Sequence, residues 1–161
     1  MLNLDKKNFF RITFLVSLFA LIFAYFVEYV LGYQPCNLCL IERIPYMLAL
    51  IIIIIDYKFN SLEKYLILLL VFVFLAGTFI SLYHLGIEQG FIEESLVCDL
   101  KNSSKILTKE EILKQLQEKT VSCKDVTFKI FGFSLTTLNI IVSLFITIIL
   151  TKIYLRYEKN R

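Results

Sequence analysis

The four cysteines of this chain, Cys36, Cys39, Cys98 and Cys123, are the residues whose type and spacing can do chemistry. The first two form a C-x-x-C motif, whereas the second two lie much further apart. Paired thiols can form and break disulfides and so carry electrons, and they can also bind zinc. A C-x-x-C motif alone does not decide between these two chemistries.

Besides a redox role, three interpretations of the cysteines are a thioredoxin-like motif, a zinc site and a structural disulfide. A thioredoxin-like protein needs a soluble βαβ domain, which this apolar chain does not supply. A zinc site would use all four cysteines as tetrahedral ligands, but it leaves the membrane character of the chain unexplained. A structural disulfide is weak within C-x-x-C because it closes a short loop. Between Cys98 and Cys123 it is worth about 3 kcal/mol in the chain-entropy model, so a structural staple stays open there.

Four apolar blocks without charged residues dominate the chain, and hydrophobic residues make up 58% of it. Soluble helices are interrupted by polar residues every few positions, whereas about 20 apolar residues span a bilayer. The pattern predicts an all-α membrane protein, a four-transmembrane-helix bundle in a single domain, 1–161. The predicted spans are 12–31, 38–55, 65–86 and 130–152.

The first span could instead be a signal peptide, and the second has a short apolar block. The first is longer than a signal-peptide core, and no small-x-small cleavage site follows Val27, so it is predicted to remain as a span. The apolar block of the second, 44–55, is too short alone and is extended back to Leu38. Without that extension, an odd number of spans would separate the two cysteine pairs across the membrane.

Lys and Arg residues concentrate at one end of the predicted bundle and set its orientation. Short cytoplasmic segments carry an excess of these residues, and the N-terminal segment, the 56–64 loop and the C-terminal tail are basic. Both termini are therefore predicted to be cytoplasmic, with extracytoplasmic loops at about 32–37 and 87–129. All four cysteines then face an oxidising compartment, where disulfides persist. The net charge of +3 reflects this topology, and no nucleic-acid motif is visible.

The surroundings of the C-x-x-C motif favour a reactive thiol. Cys39 is predicted in the first turn of span two, where the helix dipole lowers a thiol pKa. Arg43 follows four residues later on the same face, so the sequence predicts a thiolate on Cys39 beside a guanidinium. A simple interfacial anchor is the alternative role for Arg43. His84, the single histidine, ends span three on the cysteine side, where it can donate to a quinone carbonyl or serve only as a structural hydrogen-bonding group.

The long extracytoplasmic loop contains a helix signal of its own. Thr108 and Glu111 form a capping box, and a short amphipathic helix is predicted to continue to about Lys119. Its apolar face is expected to lie on the membrane surface or on the bundle.

These features resemble the bacterial disulfide bond formation protein B (DsbB) family over nearly the whole chain. The resemblance rests on four spans, Gln34-Pro35-Cys36-x-x-Cys39 leading into Leu40-Ile41-Glu42-Arg43, Tyr83-His84, Cys98-Asp99, and Phe131-Gly132-Phe133-Ser134-Leu135. A P-C-x-x-C-x-x-x-R block with a second, spaced cysteine pair is a specific combination. Proteins of this system keep the bacterial periplasm oxidising.

The resemblance implies a protein-dithiol:quinone oxidoreductase of the bacterial inner membrane. It implies redox disulfides Cys36–Cys39 and Cys98–Cys123, with Cys98 attacked by a reduced, periplasmic, thioredoxin-like (DsbA-like) oxidase. Cys39 is then the quinone-contacting thiol, and Arg43 and His84 bind the quinone, which is ubiquinone or menaquinone. No metal and no flavin are implied.

Three alternatives remain open at this point. A paralogue dedicated to one specialised partner shares the same motifs, and the Lys/Glu-rich loop leaves the partner undecided. The vitamin K epoxide reductase-like quinone oxidoreductases also use four helices, but their quinone-reactive C-x-x-C lies on the last helix of the bundle. A membrane metal-binding or assembly protein is the non-enzymatic alternative.

Overall fold

Helices account for nearly all of the regular structure. The computed structural model describes residues 2–58, 63–93, 98, 122–124, 128–130 and 132–159. Its elements are α1 (Leu2–Tyr29), α2 (Asn37–Ile41), α3 (Ile44–Lys58), α4 (Glu63–Glu88), β1 (Lys129–Ile130), β2 (Phe133–Ser134) and α5 (Leu135–Lys159). The amphipathic helix predicted at 108–119 lies outside the described residues.

Four helical segments are long and apolar enough to cross a membrane, which confirms the predicted fold class. They are Lys7–Tyr29, Asn37–Lys58, Lys64–Glu88 and Leu135–Arg156. Large side chains such as Phe19, Phe72, Phe79 and Phe145 point outwards and are more than half exposed. Since lipid is as apolar as these side chains, they suit a bilayer rather than water. The orientation of the termini stays a prediction.

The second span is formed by two helices rather than one. Cys36 is the N-cap of α2, and its Sγ accepts a hydrogen bond from the Cys39 backbone N–H. A turn at Glu42 and Arg43 separates α2 from α3. Pro45 is tolerated because it lies in the first turn of α3, where a backbone N–H has no helical acceptor. The turn places the side chains of Glu42 and Arg43 against the bundle, where Glu42 is buried and Arg43 is partly buried.

The last span begins five residues later than its apolar block. Residues 130–134 were predicted as helix, but β1 and β2 form an antiparallel hairpin in which Ile130 pairs with Phe133. Gly132 has a positive φ of 87°, which suits the tight turn between them. The Ser134 hydroxyl accepts a hydrogen bond from Thr137 N–H at 3.2 Å and so caps α5.

The helices pack in a chain of neighbours. The most extensive packing is between α4 and α5, and α3 packs against both α1 and α4. Gly77 allows α3 and α4 to approach closely, because a Cβ there would lie 3.0 Å from the Pro45 ring. The apolar core includes Tyr46, Ile67, Leu70, Phe74 and Leu150. A second, smaller cluster forms around the cysteines.

Candidate functional site

Both cysteine pairs lie in one cluster at one end of the bundle. Cys36 and Cys123 are buried there, and Cys39 and Cys98 pack against them. Cys98 and Cys123 are joined by a disulfide with a Cα–Cα distance of 6.0 Å. The side chain of Asn37, between the two motif cysteines, donates a hydrogen bond to the Cys98 carbonyl at 2.9 Å. The structure therefore brings together the four residues singled out from the sequence.

Cys36 and Cys39 are free thiols in direct contact. Their Sγ atoms lie 2.9 Å apart. Cys36 Sγ also lies 3.5 Å from Nε2 of His84. A sulfur with this many hydrogen-bond donors around it is stabilised as a thiolate.

The donors converge on Cys36, whereas the sequence predicted the thiolate on Cys39. The hydrogen bond from the Cys39 thiol is the main cause that lowers the pKa of Cys36 to about 5. Burial opposes it, and the His84 imidazole reinforces it. Sequence reasoning counted the helix dipole and Arg43 but not the position of Cys36 as the N-cap.

Arg43 is engaged by another partner. Its Nη1 donates to Glu28 Oε2 of α1 at 2.6 Å, and its guanidinium lies 5.0 Å from the centre of the Tyr25 ring. Both side chains of the ion pair are mostly buried, at 11% and 20% exposed. The arginine is therefore held inside the protein rather than extended to the membrane surface. Arg43 also lines a cavity beside the thiols, and its guanidinium carries five N–H donors in all.

His84 is the centre of a buried polar network. The residue is 1% exposed, and Nδ1 lies 2.8 Å from Glu42 Oε1 and 3.2 Å from the Thr136 hydroxyl. The Thr136 hydroxyl donates to Glu88 Oε1 at 2.6 Å, which itself lies 3.9 Å from His84 Nε2. The other oxygen of Glu88, Oε2, is buried with no hydrogen-bond partner among the described residues.

Asn139 extends this network towards the middle of the bundle. Its amide donates to Glu42 Oε2 at 3.1 Å and to the Ser81 hydroxyl at 2.7 Å. Its carbonyl oxygen accepts a hydrogen bond from the Tyr46 hydroxyl. One asparagine thus bonds to side chains from the α2–α3 turn, α3 and α4.

A cavity of about 400 Å³ opens beside the thiols. Most of its wall is apolar, and α1 and α5 make the largest contributions to it. These two helices contact their neighbours more than each other. The polar groups on its wall are concentrated at one end and include Cys36, Cys39, Arg43, His84 and Glu88. An apolar chamber with a few convergent polar groups is the usual form of a small-molecule site.

Sequence reasoning missed the contribution of α5 to this site. Thr136, Asn139, Ser143 and Thr147 recur every three to four residues along an otherwise apolar block. Three of them, Thr136, Ser143 and Thr147, are buried. That spacing places them on one helix face, and polar residues within a span face the protein interior. The stripe was therefore visible in the sequence, as was Glu88 one turn after His84.

The acidity of Cys36 yields a testable pH dependence. The reduced pair is expected to lose its first proton with a midpoint near pH 5, rather than at the ordinary value of about 8.5. Because the pKa is lowered, the thiolate is present above that pH and is lost below it. Ultraviolet thiolate absorbance of Cys98→Ser/Cys123→Ser protein measures this midpoint. His84→Ala removes a neighbouring donor and should raise it. A midpoint at the ordinary value in the parent protein would contradict the assignment.

Asn139→Ala is expected to destabilise the bundle by about 1–3 kcal/mol, because it leaves buried polar partners unsatisfied. Unfolding of the detergent-solubilised protein by denaturant measures the effect. Thr151→Ala is the matched control on the same helix, since Thr151 donates to the Thr147 carbonyl one turn earlier. Equal losses of unfolding free energy in the two variants would show that the hydrogen bonds between helices add no more stability than a hydrogen bond within α5.

The fold and site together define a multi-pass membrane protein with a buried dithiol beside a disulfide. Comparison with known proteins identifies its family. The family model of the disulfide bond formation protein DsbB matches residues 6–153, and the chain belongs to that family. It is therefore a disulfide-forming oxidoreductase of a membrane.

A further relative is uncharacterized protein RP370 of Rickettsia prowazekii (strain Madrid E). It is 30% identical over 170 residues, a match that covers 99% of this chain and 96% of the relative. No solved structure matches the chain.

Proposed function

We propose that the protein is a protein-dithiol:quinone oxidoreductase of the bacterial inner membrane. It reoxidises a periplasmic thioredoxin-like (DsbA-like) dithiol oxidase and passes the electrons through two cysteine pairs to a membrane quinone. The observation that carries this proposal is the placement of Cys36 and Cys39 in one cluster with the Cys98–Cys123 disulfide and on the wall of the apolar cavity.

The two cysteines of the Cys98–Cys123 disulfide differ in exposure, and this difference indicates which of them the partner attacks. Cys123 is buried at 3% exposure, whereas Cys98 is partly exposed. A partner thiolate therefore attacks Cys98 more readily, forming a mixed disulfide and releasing the Cys123 thiolate. The partner's second thiol then leaves the partner oxidised and the Cys98–Cys123 pair reduced. Exchange with the neighbouring Cys36–Cys39 disulfide regenerates the first disulfide and leaves the motif cysteines reduced.

The cavity fits a quinone in size and chemistry. Isoprenoid quinones combine an apolar chain with a ring that carries two carbonyl acceptors. Arg43 and His84 supply donors at the polar end, and the walls from α1 and α5 are apolar. When bound, a quinone accepts two electrons and two protons. Oxidation of the two thiols to the Cys36–Cys39 disulfide releases the same numbers of electrons and protons.

Protein side chains around the thiols can hold the protons of this reaction. His84 lies between Cys36 Sγ and Glu42, at 3.5 Å and 2.8 Å. It can therefore accept a thiol proton while the carboxylate stabilises the resulting imidazolium. The buried carboxylate of Glu88 is a second acceptor close to the same ring.

The test is quinone reduction by purified protein supplied with a reduced thioredoxin-like dithiol partner. Stoichiometric formation of quinol and oxidised partner is the expected result. Cys39→Ser should abolish quinol formation, whereas Thr151→Ala, which is not among the residues that line the cavity, should retain it. Partner oxidation without quinol formation in the intact protein would refute the proposed acceptor.

A further inference from the structure

We propose that the reduced site binds one thiophilic divalent metal ion, such as Zn²⁺, through Cys36, Cys39 and His84. Bound there, the ion occupies both motif sulfurs, so the Cys36–Cys39 disulfide cannot form while it is bound. The proposal does not require the redox function assigned above, because it rests on the ligand atoms alone.

The three ligand atoms already converge. The two Sγ atoms and a ring nitrogen of His84 all lie within 4.8 Å of one another. The Sγ–Sγ distance is 2.9 Å and the distance from Cys36 Sγ to His84 Nε2 is 3.5 Å. Tetrahedral zinc with bonds of about 2.3 Å to sulfur and 2.0 Å to nitrogen places its ligand atoms about 3.5–3.8 Å apart. Small side-chain rotations therefore create the coordination geometry.

His84 has a carboxylate on the ring nitrogen that faces away from the thiols, as metal-binding histidines usually do. Its Nδ1 faces Glu42 Oε1 at 2.8 Å, while Nε2 faces the thiols. A carboxylate on the far nitrogen fixes the tautomer that leaves Nε2 free to bind a metal and increases the basicity of the ring. The Glu42–His84 pair is thus an outer shell that is present before any ion arrives.

A fourth ligand is available close to the same ring nitrogen. Glu88 Oε1 lies 3.9 Å from His84 Nε2. Its second oxygen, Oε2, is buried without a partner in the part of the chain that the structure describes, although the side chain is 6% exposed. A buried, unpaired carboxylate oxygen is costly, and coordination to a cation satisfies it.

The charge of the site favours a cation. Two thiolates, Glu42 and Glu88 would stand close together, while the nearest guanidinium, Arg43, is bound to Glu28. Metal binding displaces the thiol protons to solvent and leaves two metal–thiolate bonds. Because both sulfurs are then occupied, metal binding and the Cys36–Cys39 disulfide exclude each other.

The experiment titrates the reduced, full-length protein in detergent with Cd²⁺ alone, without quinone or partner. Cadmium–thiolate absorbance should rise to one ion per chain in Cys98→Ser/Cys123→Ser protein, and oxidised protein should give no band. His84→Ala should weaken binding by at least about tenfold, since even outer-shell changes weaken metal sites by that factor. Glu88→Gln tests the fourth ligand by the same measurement.

Reduced wild-type protein provides a readout that does not depend on these variants folding. Cd²⁺ should protect Cys36 and Cys39, but not Cys98 and Cys123, from alkylation, as identified by mass spectrometry. Protection confined to Cys98 and Cys123, or unchanged affinity in His84→Ala, would overturn the proposal. Because no quinone is used, failure here leaves the redox proposal standing, and failure of quinone reduction leaves the metal site standing.

Discussion

Cys98→Ser is expected to abolish oxidation of the protein partner and to leave the reaction of the Cys36–Cys39 pair with quinone intact. Cys98 is the more exposed sulfur of its disulfide, so its loss removes the atom that the partner attacks. The motif thiols keep their contacts with each other and with His84. Quinol formation driven first by the reduced partner and then by pre-reduced enzyme in a single turnover measures the two effects separately.

The complementary variant locates the point of attack. A partner variant that lacks its second thiol attacks the Cys98–Cys123 disulfide but cannot release itself as an intramolecular disulfide, so it should accumulate covalently on Cys98 of the intact protein. Peptide mapping of the trapped species identifies the bond. Trapping on Cys39 in otherwise intact protein would refute the division of roles between the two pairs.

Arg43→Ala is expected to raise the quinone KM about ten- to a hundredfold with little change in the KM for the partner. Loss of a hydrogen bond from a charged group costs about 1.5–3 kcal/mol, and each 1.4 kcal/mol is about tenfold. Arg43→Lys should rescue only part of this loss, because an ammonium lacks the planar fork that can hold Glu28 and a carbonyl at once. Steady-state kinetics with quinone varied at saturating reduced partner measure both variants.

Glu28→Gln is the matched control for the position of Arg43. It keeps the size of the side chain and removes the charge that holds Arg43 at 2.6 Å. Its effect on the quinone KM should fall between those of wild type and Arg43→Ala. If Arg43 only anchors the helix at the membrane interface, lysine will replace it fully. An unchanged quinone KM in both Arg43 variants would remove it from the site.

The membrane architecture follows from single stretches of sequence, and that is why it was predictable. A span is defined by about 20 consecutive apolar residues, so three of the four helices are visible as single blocks. The second was completed only by the requirement that both cysteine pairs lie on one side of the membrane. The start of the last helix is different. Absence of charge does not distinguish Ile130 from Leu135, and the hairpin depends on the turn at Gly132 and the cap at Ser134.

The chemistry of the site was only partly predictable, because its important contacts join distant residues. Arg43 is one helical turn from Cys39 in sequence, but its charge is directed to Glu28 on α1. Likewise, Cys36 is stabilised by His84 from α4. Local spacing identified the reacting residues, whereas the helix packing decided which sulfur receives the donors.

The cross-helix network around Asn139 has a consequence for biogenesis. If the helices enter the bilayer in chain order, Glu42 arrives before α4 and α5 supply His84 and Asn139, its partners in the finished bundle. An ionisable side chain left without partners inside a span is unfavourable, with an upper value of about 2.5–3.5 kcal/mol at the helix centre on insertion scales. We therefore expect the helical pair α1 and α3 to remain near the interface or the insertion machinery until the last helix arrives. Burial of the N-terminal half is then expected to depend on translation of the C-terminal helix.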